Sequence, residues 1–577
     1  MELCRKRSYL LLLAGLVGLA TTVLWAQEAP EHIGLPQDWS LHHVIFTNGA
    51  TPEVAAASAR DPRSWINWVL RTFPQRGAQA ARAAAAESTE DEPQLPRIAG
   101  NHFATRTDWA ISLGATAGMP VAETPAKFTF NTSGTPDCAN DFVVFVVNAT
   151  PGVGTQANIL AINNLYSGPA PNLCGTSPTF MWSYAVGNGG ILLSPVLSND
   201  GKKAAFIEAS NPNATFNVLT WVAGQGTNAT TGAVAPGGGS SVATLDYTNI
   251  TVTGCAANAS DNSASSPFVD YTNDVAYVGA DNGVLYRIKG IFRGTPTVAY
   301  CTTVSAGNSL TSPVYDSVSG KVFVSDGQKV YAYIPGASSF TAAGNIQVAG
   351  TAGSIELSPI VDSTNGFVYA FSSHNVANSN TIVSQMPISL ASKVDAAIGP
   401  ATTAQYILDG DFDNKYYTNG PATGSLYACG TQTGSGNKPA LYTLSFQASG
   451  VMNTAAVMAN DVHVNSAANP NGTCSPMIEF FDGSVDRLFV GVGRSGSTTG
   501  ANLVSMWNIT NRITANTTTP AATATNELGG TSSFAIDNDS PLPQASSIYF
   551  GTLAKGNNGP CGNTTFCAVK LTQSALQ

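Results

Sequence analysis

TSPVYDSVSGKVFVSDGQKVYAYI, residues 311–334, is the stretch whose reading decides the fold. Ser312-Pro313 opens an extended run, where proline's missing N–H is tolerated at the first residue of a strand. Val314 and Tyr315 follow, then a turn from Asp316 to Gly320 built of the residue types that turns demand. Val322-Phe323-Val324 reads as a second strand, Asp326-Gly327 as a tight hairpin turn, and Val330 to Ile334 as a third strand. Beyond it, Asn345-Ile346-Gln347-Val348 supplies a fourth, edge strand.

The phrase recurs. SPFVDYTNDVAYVGADNGVLYRI covers 266–288 and LSPIVDSTNGFVYAFSS covers 357–373, so three Ser-Pro openings lie 46 residues apart. Looser copies start at 194, 474 and 533, and two units without Ser-Pro, at 140–166 and 419–446, keep the strand pattern. A lone four-stranded sheet cannot bury both faces, so such units must stack around an axis. Four antiparallel strands per unit at this period imply an all-β fold, a β-propeller. Eight blades are expected, with seven as the alternative. Asp108–Leu113 and Lys127–Phe130 are the candidates to pair near the C-terminal unit and close the ring.

The chain before the repeats is different. Arg5, Lys6 and Arg7 precede an apolar run from Tyr9 to Ala26, the plan of a secretory signal peptide over 1–26. Residues 27–104 read as a helical segment and an Ala-rich, acidic linker, and 105–577 as the propeller. Within the former, Asp61-Pro62 before RSWINWVLRTF predicts a helix with an Asp N-cap and Pro at its first position. Trp65, Trp68 and Val69 would share one face and pack on the main domain.

Composition agrees with export. Only 11% of residues are charged and the net charge is −10, which disfavours nucleic acid and anionic membranes as partners. No second apolar stretch is long enough to span a bilayer, so no span is expected after signal cleavage. Cys4 leaves with the signal, and the remaining eight cysteines in an exported chain favour disulfides. Sequence neighbours suggest Cys138–Cys174, Cys255–Cys301, Cys429–Cys474 and Cys561–Cys567.

The pattern SP-[apolar]-x-D…G-x-[VF]-[YF]-V…DG-x-[VL]-Y resembles the repeat of the quinoprotein-like β-propeller superfamily, which includes quinone-dependent dehydrogenases and an outer-membrane assembly scaffold. DWSLHHVIFTNG near the N-terminus, CANDFVVF at 138–145 and CSPMIEFFDG at 474–483 resemble exported propeller proteins of soil bacteria, a likeness that brings no activity with it. The Trp-bearing docking motif and adjacent-cysteine pair of quinone enzymes are absent, which weighs against that chemistry.

Candidate sites are few. Asp409, Asp411 and Asp413 stand at alternate positions, the spacing of oxygen ligands in a calcium loop, though no Gly follows at the sixth position and Gly420 replaces the twelfth-position Glu. Asp270, Asp316, Asp362, Glu479 and Asp537 recur at one register, where each is expected to cap its own turn. His374 and His463 lie among the blades, and no HExxH or GxSxG motif occurs. The expectation is therefore a monomeric exported module binding an extracellular protein or glycan, with no cofactor other than calcium. The alternative is an enzyme with its site in the central channel, an oxidoreductase or a polysaccharide-active hydrolase or lyase. Shortage of histidine and of nucleophile motifs favours the former.

Overall fold

A computed structural model describes residues 34–573 apart from most of 48–104 and several short stretches, the longest being 462–471 and 494–502. Residues 1–26, the Ala-rich run, Trp68, Val69 and His463 lie outside the described residues. Eight sheets of four or five strands, antiparallel except for one short parallel strand in blade 5, form an eight-bladed propeller.

Blade 4 is the opening stretch made solid. Val314–Asp316, Lys321–Ser325, Lys329–Pro335 and Phe340–Gln347 pair in order from the axis outward. Asp316 caps its turn by accepting the Val318 and Ser319 N–H groups, and Gly320 closes it with φ 67°. Gly327, at φ 88°, makes the second turn, a conformation that side-chain-bearing residues rarely adopt. The inner strands are buried on both faces: Val322, Phe323 and Val324 are fully inaccessible, and the apolar core runs on from blade 3 through blade 4 into blade 5.

Ring closure uses both ends of the chain. Thr105–Gly114 is the outermost strand of blade 8, antiparallel to Phe566–Gln573, so the Asp108–Leu113 expectation holds. Lys127–Phe130 behaves otherwise. Ala126–Thr129 is the inner strand of blade 1 and pairs with Phe142–Val146, because blade 1 opens with Thr124-Pro125 in place of Ser-Pro. The four cysteine pairs suggested by neighbourhood all form, with Cα–Cα separations of 5.5, 5.9, 6.3 and 5.8 Å. Four disulfides place the folded protein in an oxidising environment. Among the described residues no helix is long and apolar enough to cross a membrane.

Candidate functional site: the central channel

The channel of this propeller is filled by its own N-terminal segment. Leu35–Gln37 adds an antiparallel strand to the axial side of blade 1, with Leu35 opposite Thr129 and Gln37 opposite Lys127. Val44–Ile45 adds a parallel strand to Ile360–Asp362 of blade 5. Blades 1 and 5 face each other across an eight-bladed ring, so residues 37–44 cross the axis. Between the two strands, a single 3-10 turn over Trp39–Leu41 makes the crossing.

Asp38, Trp39 and His43 of that crossing are held by blades 2, 3 and 5. The Asp38 carboxylate accepts from Leu197 N (2.9 Å), the Tyr271 hydroxyl (2.9 Å) and Ser40 Oγ (2.8 Å), tying it to blades 2 and 3. Trp39 packs edge-on against Phe268 and stacks on His43 at 4.6 Å. His43 Nδ1 is 3.0 Å from Ser358 Oγ at the start of blade 5. Burial without a counter-charge pushes the His42 and His43 imidazoles down to about 4 and about 3, so both are neutral.

A helix then covers the end of the channel where the inner strands turn back. Residues 62–67 are helical, with Asp61 as N-cap accepting the Arg63 N–H. The packing face differs from the sequence expectation: Ile66 is buried with Leu35 and Leu41, whereas Trp65 is 41% exposed. The reason is electrostatic as much as apolar. Arg63 is fully buried, its guanidinium donating to Val269 O and lying 4.1 Å over the Phe268 ring. Asp61 accepts from Ser317 Oγ of blade 4 (2.6 Å). Further along, Arg71 forks onto Glu479 of blade 7 at 2.8 and 3.2 Å, donates to Asn414 of blade 6, and sits over the Tyr417 ring. Such a bidentate, stacked pair is a job for Arg and not for Lys.

Beside this segment lie a cavity of about 70 Å³ facing blades 5 to 8, lined among others by His42, His43, Arg71, Asp409, Asp411 and Glu479, and a smaller void of about 10 Å³ next to Trp39 and Phe534. Together they have room for a few waters and fall well below the roughly 300–1,000 Å³ of ordinary ligand pockets. Burial raises the Asp409 carboxyl well above its ordinary range, and burial together with the Glu479 charge lifts Asp411 to about 6.

The three aspartates of the calcium-loop spacing do not act alike. Asp409 and Asp411 face this cavity and accept the backbone N–H groups of Met477 and Glu479, joining blade 6 to blade 7. Asp413 instead caps the short helix Asn414–Asn419 through the Tyr416 N–H and also accepts from Ser425 N. Among the described residues no three His, Cys, Asp or Glu side chains are grouped to hold a metal ion. Of the turn carboxylates, Asp270, Asp316 and Asp362 cap their turns. Glu479 and Asp537 pair with Arg71 and Lys127 instead. His374 is buried beside Ser373, its Nδ1 3.1 Å from that hydroxyl.

Sequence reasoning gave the serine of Ser-Pro no part of its own. It stitches neighbouring blades: Thr124 N donates to Ser194 Oγ, Ser194 N to Ser266 Oγ, and Ser266 N to Ser312 Oγ, at 2.8 to 3.0 Å. Ser194, Ser266 and Ser312 thus each accept from the preceding blade's equivalent residue, a role signalled only by its repetition, whereas Ser358 Oγ meets His43 and Ser475 Oγ accepts from Gly491 N. Asp38 and Arg63 gave no sequence signal either, since single charges in a non-repeating segment look like surface.

No protein-family model matches the chain, and no curated protein does. Solved structures similar to it are propellers. BamB from Moraxella catarrhalis is 11% identical over 81% of this chain and 97% of its own, with a TM-score of 0.37. Sqt1 from Chaetomium thermophilum is 8% identical over 82% and 98%, with a TM-score of 0.44. A putative 6-phosphogluconolactonase from Bacteroides uniformis is 11% identical over 67% and 98%, with a TM-score of 0.35. Likeness at this level concerns architecture alone.

Proposed function

We propose that this protein is an exported, disulfide-stabilised binding module that meets an extracellular protein or glycan on its outer surfaces. The observation that carries the reading is the occupied channel. Residues 34–47 fill the space in which a propeller enzyme would hold its substrate, and the voids beside them among the described residues are about 70 and 10 Å³, with both lining imidazoles neutral. A recognition surface must then lie on the blade loops and edges. These are rich in Asn, Ser and Thr and carry isolated exposed apolar side chains such as Val376 (53%) and Tyr406 (56%) in neighbouring top loops.

The test is a saturation measurement with purified residues 27–577. Labelled protein is titrated onto isolated envelope of the producing organism and onto an immobilised glycan panel. Saturable binding that unlabelled protein displaces, and that Tyr406→Ala or another loop variant weakens, supports the reading. Absence of saturable binding on both, or turnover of a small substrate by the intact chain, overturns it.

A further inference from the structure

The seam between blade 8 and blade 1, where the ring closes, is one of those that no disulfide crosses. The Cys255–Cys301 disulfide bridges blades 2 and 3, and Cys429–Cys474 bridges blades 6 and 7, while none of the four crosses from blade 8 to blade 1. One lysine–aspartate pair crosses there instead, Lys127 with Asp537 at 3.4 Å, and a second, Lys570 with Asp108 at 3.2 Å, joins the last and first strands of the ring within blade 8; all four side chains are fully inaccessible. Burying an ammonium and a carboxylate together carries a desolvation penalty of several kcal/mol per ion before their attraction is counted.

Around the first pair the groups needed to remove that penalty chemically are assembled. Lys127 extends from the inner strand of blade 1 and Asp537 from the inner strand of blade 8. The Tyr549 hydroxyl donates to Asp537 Oδ2 at 3.1 Å, and Lys127 Nζ reaches Thr129 Oγ1. Gln37 lies directly across the strand from Lys127, so the two side chains share a face. Gln37 is 2% exposed, yet neither its amide oxygen nor its amide nitrogen has a hydrogen-bond partner among the described residues. An orphaned buried amide is costly. Its natural complement is another amide, offering one N–H and one C=O.

We propose that Lys127 and Asp537 condense to an intramolecular isopeptide bond that closes the propeller ring covalently. Proton transfer within the pair gives a neutral amine and a carboxylic acid, the form that a water-free site favours over two separate charges. The Lys127 Nζ lone pair attacks Asp537 Cγ, forming the C–N bond. The C–O bond to the protonated oxygen then breaks, and that hydroxyl leaves as water, taking the amine proton relayed by the Tyr549 hydroxyl. No oxidant, cofactor or second enzyme enters the balance. The Gln37 amide donates to the developing oxyanion and afterwards accepts from the new N–H. Gln37 is thus a positioning residue, supplied by the segment that fills the channel, so the bond forms only once residues 34–47 are seated.

The experiment is an intact-mass measurement on residues 27–577, secreted into an oxidising compartment, then reduced, alkylated and denatured. The expected mass is one water below that of the alkylated sequence, and digestion yields a branched peptide joining the Lys127 and Asp537 segments. Lys127→Arg restores the missing water. In Gln37→Ala the branched fraction falls several-fold while the disulfides still form, which a merely structural Gln would not produce. The full sequence mass in the folded wild-type chain, or a water loss mapping to Asp326-Gly327 or Asp482-Gly483 as succinimide, overturns the proposal.

Discussion

Blade 4 and the seam between blades 8 and 1 solve the same problem by different means. Blade 4 is built from one contiguous stretch of about 37 residues, and its turns, strands and inter-blade serine are all within it. The seam takes strands from residues 105–114, 126–129 and 566–573, together with the channel strand at 35–37. It is held by charges that are fully buried. A repeat can specify its own blade, and closure has to be specified once, by residues that appear nowhere else.

The largest effect that could break this contrast is at Lys570. Lys570→Met removes the counter-charge of the buried Asp108 carboxylate, which keeps the Thr572 hydroxyl as a donor, and is expected to cost about 3–5 kcal/mol, read as a shift in the urea midpoint. The double variant Lys570→Met/Asp108→Leu should recover most of it. If the single variant were neutral, the Lys570–Asp108 pair, which ties the first strand of the ring to the last within blade 8, would not be a closing element.

A smaller effect concerns the channel. His42 and His43 titrate near 4 and 3 in the fold against 6.5 when exposed. The unfolded chain therefore binds the extra protons, and the stability these imidazoles contribute is full above pH 6.5 and lost as pH falls toward 4. Asp411, raised to about 6, acts oppositely between pH 6 and its ordinary value, because there the folded state holds the proton. Comparison with His42→Gln/His43→Gln isolates the first term. Between pH 6.5 and 5 the wild type should lose about 1 kcal/mol per pH unit per imidazole relative to that variant. Equal pH slopes in the two proteins would mean that the segment leaves its histidines in water.

The smallest effect tests the regular blades. Ser312→Ala removes the acceptor of the Ser266 N–H and should cost about 1–2 kcal/mol by the same urea measurement. Because the stitch repeats, Ser194→Ala and Ser266→Ala should cost similar amounts. A wide spread among the three would show that the blades are less equivalent than their phrase.

This contrast also explains what was legible in the sequence. Blade number, the turns at Asp316 and Asp326, the four cysteine pairs and the role of Asp108–Leu113 could be read, because each depends on local pattern or on a neighbour of the same type. The N-cap at Asp61 could be read for the same reason. Burial of Arg63 in place of Trp65, the pairing of Glu479 with Arg71 and the split of Asp413 from Asp409 could not. Each is decided by a partner hundreds of residues away or by the filling of the channel. The channel segment carried no repeat signal, because its strands, Leu35–Gln37 and Val44–Ile45, are three and two residues long and pair with different blades.

The central claim is that residues 35–45 are part of the propeller's interior, and hydrogen exchange tests it most directly. Mass-spectrometric exchange on residues 27–577 at neutral pH should show amides in Leu35–Gln37 and Val44–Ile45 as slow as those of Ile360–Asp362 in blade 5. Exchange of 35–45 at the rate of an unprotected chain, with the blades still protected, would mean that the channel is open and that the account of this protein as a surface-binding module loses its basis.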